Sequence, residues 1–156
     1  MYEDDLDRSD LVKEALKRAD HSIYVSLKYT RTGDIIRNTI LRLLEACELV
    51  IVEALEHAKK KKKIKVVPAT PKEKVDALKK LFKGKGELKG FLEFYDLLKK
   101  IKNSRGIGKG EYRKHVNLSV LDGAGKEMLS VDTETLKAYF EKTKEFVAFI
   151  RGWIHG

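Results

Sequence analysis

The sequence has little of several residue types on which function often depends. It has one cysteine among its 156 residues, Cys47, so neither a disulfide within the chain nor a cysteine-based zinc site can form. Cys47 stands in an apolar run, which predicts a small buried side chain rather than a reactive thiol. The four histidines, His21, His57, His115 and His155, include no pair three or four residues apart. We therefore expect no metal site and no cofactor.

Other absences narrow the class of protein. Glutamine is missing and asparagine occurs three times, while 37% of the residues are charged. This composition is typical of proteins adapted to heat and predicts a thermophilic source. The chain has no run of about 18 uninterrupted apolar residues, and its first residues, MYEDDLDRSD, are acidic and unlike a signal peptide. We expect a cytoplasmic protein without a membrane span, and no serine or cysteine stands in a recognisable catalytic pattern.

The positive charge is confined to the middle of the chain. Residues 59–114 contain 20 Lys and Arg against 6 Asp and Glu, whereas residues 1–58 and 115–156 have net charges of −4 and −1. Five consecutive lysines, Lys59 to Lys63, open this basic segment. They fit either a solvated helix end or a binding role. A uniformly lysine-rich surface would not divide in this way, so we expect the segment to bind a polyanion that carries phosphate.

Two long helices are predicted in the first third of the chain. Apolar residues recur at four-residue steps over 11–27, and a wider apolar face runs over 36–58. A helix as apolar as the second is expected to be central, or to form a subunit interface as well. The stretch 29–34 predicts a short turn in which Thr32 or Asp34 caps the second helix. The two helices should therefore form an antiparallel hairpin.

The rest of the chain predicts three further helices and two strands. Thr70 can cap a short helix that ends near Gly84, and a fourth helix should cover about 88–102. Alternating apolar residues at 116–120, a turn at 122–125 and a return strand at 128–131 predict a β-hairpin. Asp132 or Thr133 can then cap a last helix over 136–154. We expect a mainly α, single domain over residues 1–156, an antiparallel bundle of about five helices with a β-hairpin (about 115–131) inserted before the last helix.

Residues 103–115, which read NSRGIGKGEYRKH, combine glycines with cations and a tyrosine. Backbone amides of a glycine-rich loop can hold phosphate, and arginine can bind phosphate in a bidentate way. Tyr112 offers a ring on which a base could stack. The alternative is a flexible connector in which the glycines serve only its turns.

The long helical hairpin (11–27 and 35–58), the shorter helices and the terminal helix (136–154) together resemble the HEPN superfamily of small helical bundles. That resemblance implies a homodimer that binds nucleic acids or nucleotides. It also implies a nucleotidyltransferase as partner protein in a prokaryotic toxin–antitoxin system.

Ribonuclease members of that superfamily carry an arginine followed, after four to six residues, by a histidine. This chain departs from the spacing: Arg105 precedes His115 with nine residues between them, Arg113 precedes it with one, and Arg151 precedes His155 with three. The departure argues against nuclease activity more than against the bundle.

Three functions are compatible with these observations. The first is nucleic-acid or nucleotide binding through the basic segment, by Arg105, Lys109, Tyr112, Arg113 and Lys114 together with Lys59, Lys60, Lys61, Lys62 and Lys63. The second is a metal-independent ribonuclease with His115 as general base and Arg113 or Arg105 at the phosphorane. The third is a structural bundle that oligomerises and binds an acidic protein. We favour the first, in which the protein is not an enzyme.

Overall fold

The computed structural model describes residues 8–156. The helices are α1 (Arg8–His21), α2 (Leu27–Tyr29), α3 (Gly33–Lys60), α4 (Pro71–Leu81), α5 (Glu87–Lys102) and α6 (Thr133–His155), and a π-helical turn (Ser22–Ser26) joins α1 to α2. The strands are β1 (Arg105–Lys109), β2 (Asn117–Leu121) and β3 (Glu127–Asp132). The chain is therefore mainly helical, with a small sheet before the last helix, as the sequence predicts.

The longest helix, α3, is the centre of the fold. It packs against α1, α4, α5 and α6, and its buried positions belong to one contiguous hydrophobic cluster that it shares with all four helices. Arg8 at the start of α1 pairs with Glu56 near the end of α3 (Nε to Oε1 2.9 Å), which makes these two helices antiparallel. The wide apolar face of α3 is thus covered within the chain, by different helices on different sides.

Contacts at the two ends of α3 show the direction in which α5 and α6 run. Arg37 in the first turns of α3 reaches the end of α5, so α5 runs antiparallel to α3. The ring of Trp153, near the end of α6, packs against that of His57 near the end of α3, with centroids 5.4 Å apart. The last turns of α3 and α6 therefore lie at the same end of the bundle, and the sheet lies at the other.

The expected helix caps form as the sequence predicts. Thr32 accepts a hydrogen bond from the amide of Ile35 (3.3 Å), so Thr32 rather than Asp34 caps α3. Thr70 accepts one from Glu73 (3.2 Å) and caps α4, and Asp132 caps α6. These caps involve residues three apart, which is why the sequence alone locates them.

The predicted β-hairpin is confirmed as β2 and β3, with a β-bulge between Val120 and Leu121. A third strand was not predicted from the sequence. Residues 105–109, expected to be a loop, form β1, which pairs antiparallel with β2 and makes a sheet of order β1-β2-β3. The strand was missed because Arg-Gly-Ile-Gly-Lys has a single β-branched residue, Ile107, and lacks the regular apolar alternation that usually marks a strand.

Candidate functional site

The cations of β1 lie on the outer face of the sheet. Directly paired residues of antiparallel strands share a face, and the register pairs Arg105 with Leu121 and Lys109 with Asn117. Successive residues of a strand alternate between faces. Arg105 and Lys109 are therefore on one face with Ile107, and all three side chains are exposed.

Two glycines of β1 occupy its inner face, against the helices. A Cβ on Gly106 would lie 2.9 Å from Cδ1 of Leu118 and 3.3 Å from Nη1 of Arg37. A Cβ on Gly108 would lie 3.1 Å from the amide nitrogen of Gly33, the first residue of α3. These glycines allow close contact between a strand and a helix, and they do not form the loop that the sequence suggested for binding phosphate.

The turn after β1 carries an exposed tyrosine in an unusual conformation. Tyr112 has a φ of +65°, in the left-handed region that few residues other than glycine adopt. Its amide donates a hydrogen bond of 2.5 Å to the carbonyl oxygen of Arg31, in the turn between α2 and α3. The next two residues, Arg113 and Lys114, are exposed. We call the exposed cations and tyrosine at this end of the bundle the sheet-end surface; it comprises Arg105, Lys109, Tyr112, Arg113 and Lys114, with Arg31 beside them.

The sheet-end surface keeps Arg105 apart from His115, whereas Arg113 stands two residues before His115 in the same turn. Arg105 and Lys109 are four residues apart along a strand, which is about 14 Å, and His115 follows the turn at the Lys109 end. His115 instead borders a shallow depression that also contains Asp132 and Glu134. Arg105 therefore lies far from His115 along the strand.

Arg151, which precedes His155 with three residues between them, has a structural role. Arg151 lies 3.5 Å from Glu53 (Nε to Oε1) and donates a hydrogen bond of 3.0 Å to the carbonyl oxygen of Ser9. Both side chains of the ion pair are largely buried. Arg151 thus connects α6 to α1 and α3.

The five consecutive lysines lie at the far end of α3, and all five side chains are exposed. Lys63 places Nζ 5.2 Å from the ring centroid of Trp153, a cation–π contact. We call Lys59–Lys63 and the exposed Lys65 the lysine-end surface. Among residues 8–156, none of these six lysines has a carboxylate oxygen within 4.0 Å.

The lowered pKa of His57 indicates that cations from separate parts of the chain lie close to its ring. The pKa of His57 is held below its ordinary value, first by partial burial and then by the positive charges of Lys61, Lys63, His155 and Lys60. These groups come from the last turns of α3, the residues after it and the end of α6. The lysine-end surface is therefore a region of concentrated positive potential, not merely a run of lysines in the sequence.

The two cationic surfaces are at opposite ends of the molecule. Gly33, which contacts β1, begins α3, and Lys60 ends it. A helix of 28 residues is about 42 Å long. The basic segment of the sequence thus forms two separate surfaces, and most of its charge belongs to the lysine end, because residues 59–86 carry 12 lysines against 2 carboxylates.

The sequence did not indicate that Tyr29 and Arg31 lie beside the sheet-end surface. They were assigned only to the turn between two helices. Tyr29 is 79% exposed, and Arg31 accepts the hydrogen bond from Tyr112 described above. The available signal for a binding role was the presence of an aromatic residue and a cation in one turn. The segment that this turn contacts, which contains Tyr112, lies about 80 residues further along the chain.

No protein-family model, no curated protein and no solved structure matches this chain. Within residues 8–156, no group of three or more His, Cys, Asp or Glu side chains is placed to hold a metal ion. None of the helices in the same range combines the length and the apolar character needed to cross a membrane.

Proposed function

We propose that the protein binds nucleic acid through the lysine-end and sheet-end surfaces together. The observation that carries the proposal is the separation of these surfaces by the length of α3, about 42 Å. A single nucleotide is too small to reach both. A polyanion long enough to do so, such as about 12 base pairs of duplex at 3.4 Å per pair, fits the spacing.

The exposure of the cations supports the same proposal. Lysines that only stabilise a surface usually have carboxylates as neighbours, whereas those of the lysine-end surface have none within 4.0 Å among the described residues. Mutual repulsion at such a surface is relieved when phosphates replace its bound counterions. In the sheet-end surface, with residues 8–156 considered, only Lys109 has such a neighbour, Glu127, at 3.8 Å.

The two rival functions have less support. The ribonuclease needs an arginine beside His115; Arg105 is at the other end of β1, which leaves Arg113, two residues before His115, and the neighbours of His115 include two carboxylates. The structural bundle was suggested by the wide apolar face of α3, which other helices of the same chain cover. The homodimer, the nucleotidyltransferase partner and the resemblance to the HEPN superfamily stay predictions.

Fluorescence anisotropy with labelled oligonucleotides of 6 and 20 nucleotides tests the proposal. Three matched double variants would be compared: Lys60→Gln/Lys61→Gln at the lysine end, Arg113→Gln/Lys114→Gln at the sheet end, and Lys13→Gln/Lys17→Gln on the exposed face of α1 as control. Lys62 is left unchanged because its φ of 60° makes its backbone sensitive to substitution.

We expect both end variants to weaken binding of the 20-mer and to reduce the salt slope of log K by about 1 to 2. The control should bind as the parent protein does, and the 6-mer should bind more weakly than the 20-mer in every case. Equal effects of all three double variants, or equal affinity for the two lengths, would contradict the proposal.

A further inference from the structure

Two tyrosines are the most exposed large hydrophobic side chains among residues 8–156. Tyr29 is 79% exposed and Tyr112 is 76% exposed. A ring held in water in this way contributes little to the stability of the fold, because the apolar surface that it would bury remains hydrated. Exposed tyrosines are, however, suited to recognition, since they offer a large flat surface with few rotatable bonds.

The backbone brings these two tyrosines to one place. The amide of Tyr112 donates its hydrogen bond to the carbonyl oxygen of Arg31, which is two positions after Tyr29, at most about 7 Å of chain. The amide of Thr30 in turn donates to Ser26 (2.8 Å), which ties this turn to the helix before it. Both tyrosines thus project from segments that are anchored to each other.

The conformation of Tyr112 is held at an energetic cost. A side chain other than glycine at a φ of +65° is strained, and such strain persists where the surroundings impose it. Here the preceding Gly110 has a φ of +64°, and the hydrogen bond to Arg31 closes the turn. The turn therefore holds Tyr112 outward rather than folding it onto the sheet.

The charges around the tyrosines favour phosphate. Lys28, Arg31, Arg113 and Lys114 are neighbours in sequence of one tyrosine or the other. The nearest carboxylate in sequence belongs to Glu111, an exposed residue whose Oε1 lies beside Gly108, 2.5 Å from where an added Cβ would be. That position is beside the first amides of α3, where a helix favours negative charge.

We propose that Tyr29 and Tyr112 form a stacking platform for unpaired bases, so that the sheet-end surface binds single-stranded nucleic acid. This inference rests on the proposed nucleic-acid binding and adds the strand state of the ligand. Bases stack on exposed aromatic rings while neighbouring cations bind the phosphates, the arrangement by which proteins hold single strands without reading sequence. A duplex has its bases stacked on one another and cannot use the platform.

The test compares two single-stranded probes of equal length and charge, a 12-nucleotide oligothymidine and the same phosphodiester chain without bases. We expect Tyr29→Leu and Tyr112→Leu each to weaken binding of oligothymidine about 5- to 100-fold. The same variants should leave binding of the abasic chain unchanged, and Tyr29→Phe and Tyr112→Phe should retain the parent affinity because they keep the ring.

Tyr24→Leu is the matched control. Tyr24 is 48% exposed, but its ring lies under Lys137 of α6, 5.6 Å from Nζ, so it belongs to the contact with that helix. Its substitution should not change the ratio of the two affinities. Leucine at Tyr112 could disturb the strained turn. Tyr29 ends a helix with ordinary backbone angles, so Tyr29→Leu tests the platform independently of that turn.

The outcomes separate this inference from the function on which it rests. If the tyrosine variants bind oligothymidine like the parent while the lysine-end variant loses affinity for both probes, the platform is wrong and the proposed function stands. If neither probe binds in a way that depends on salt or on the cationic surfaces, the proposed function fails as well. If the leucine variants lose affinity for both probes, the tyrosines support the surface structurally. That result would overturn the platform.

Discussion

Gly33 and Gly108 meet backbone to backbone where α3 begins and β1 passes it. A Cβ on Gly33 would lie 2.6 Å from the Cα of Gly108 and 3.1 Å from its amide nitrogen, closer than non-bonded atoms approach. The two residues are 75 positions apart in the sequence. Their contact fixes β1 against α3 and thereby positions the turn that carries Tyr112.

Substituting Gly33 by alanine should destabilise the protein. Alanine is ordinarily the better residue in a helix, but here its methyl group would displace the backbone of β1, at a cost of about 1–3 kcal/mol. We expect the midpoint of thermal unfolding to fall by about 2–4 °C per kcal/mol. Gly90→Ala is the control, because Gly90 lies within α5 with nothing within 4 Å of the added methyl. That variant should raise the midpoint; a fall in both would show that the effect does not come from the contact.

Arg37 should stabilise the end of α5. Its Nη2 donates to the carbonyl oxygen of Lys102 (2.8 Å) and its Nη1 to that of Ser104 (3.2 Å), where a helix favours positive charge. Arg37→Met should lower the free energy of unfolding in urea by about 1–3 kcal/mol and increase hydrogen exchange in the last turn of α5.

Arg42→Met is the comparison for Arg37, since Arg42 is on the same helix and, within the part of the chain that the structure describes, forms only an exposed ion pair with Glu45 at 3.7 Å. We expect Arg42→Met to lower the free energy of unfolding by less than about 1 kcal/mol. Equal costs for the two arginines would contradict the role of Arg37 at the end of α5.

The pKa of His57 should report on the lysine-end surface. Because burial and neighbouring cations lower it in the folded protein, the unfolded chain binds the proton at a higher pH than the folded one. The stability associated with neutral His57 is therefore present above about pH 6.5 and is lost as the pH falls through the lower pKa of the folded state.

Removing cations should move this pKa in a defined direction. Lys60→Gln/Lys61→Gln should raise the pKa of His57 toward its ordinary value, measured from the pH dependence of its ring protons by NMR. Lys13→Gln/Lys17→Gln on α1 should leave it unchanged. An unchanged pKa in the lysine-end variant would mean that Lys60 and Lys61 do not contribute to the shift.

Cys47 should be unreactive in the folded protein. It is fully buried, and burial, followed by the negative charge of Glu48, raises the pKa of its thiol to about 12. We expect no reaction with a disulfide reagent at pH 7 to 9 under native conditions and complete reaction in denaturant. Rapid native labelling that increases tenfold per pH unit would show an accessible thiol and contradict the burial.

Much of the fold follows from local sequence patterns. The helices over 11–27 and 36–58, the caps at Thr32, Thr70 and Asp132, and the hairpin of β2 and β3 all depend on residues a few positions apart. Strand β1 does not follow from such local patterns, because its glycines are explained only by the helix against which they pack. Read without that helix, the same glycines indicate a loop.

The sequence by itself determined that the charge of this protein is concentrated in residues 59–114 and that these residues are mostly exposed helix and turn. Only the tertiary structure decided how that charge is arranged. The length of α3 separates Lys59–Lys63 from the sheet, and the contact of Gly33 with Gly108 brings Arg31 to Tyr112. The reason is that composition and periodicity report on local structure, whereas the distance between two surfaces depends on how rigid helices pack.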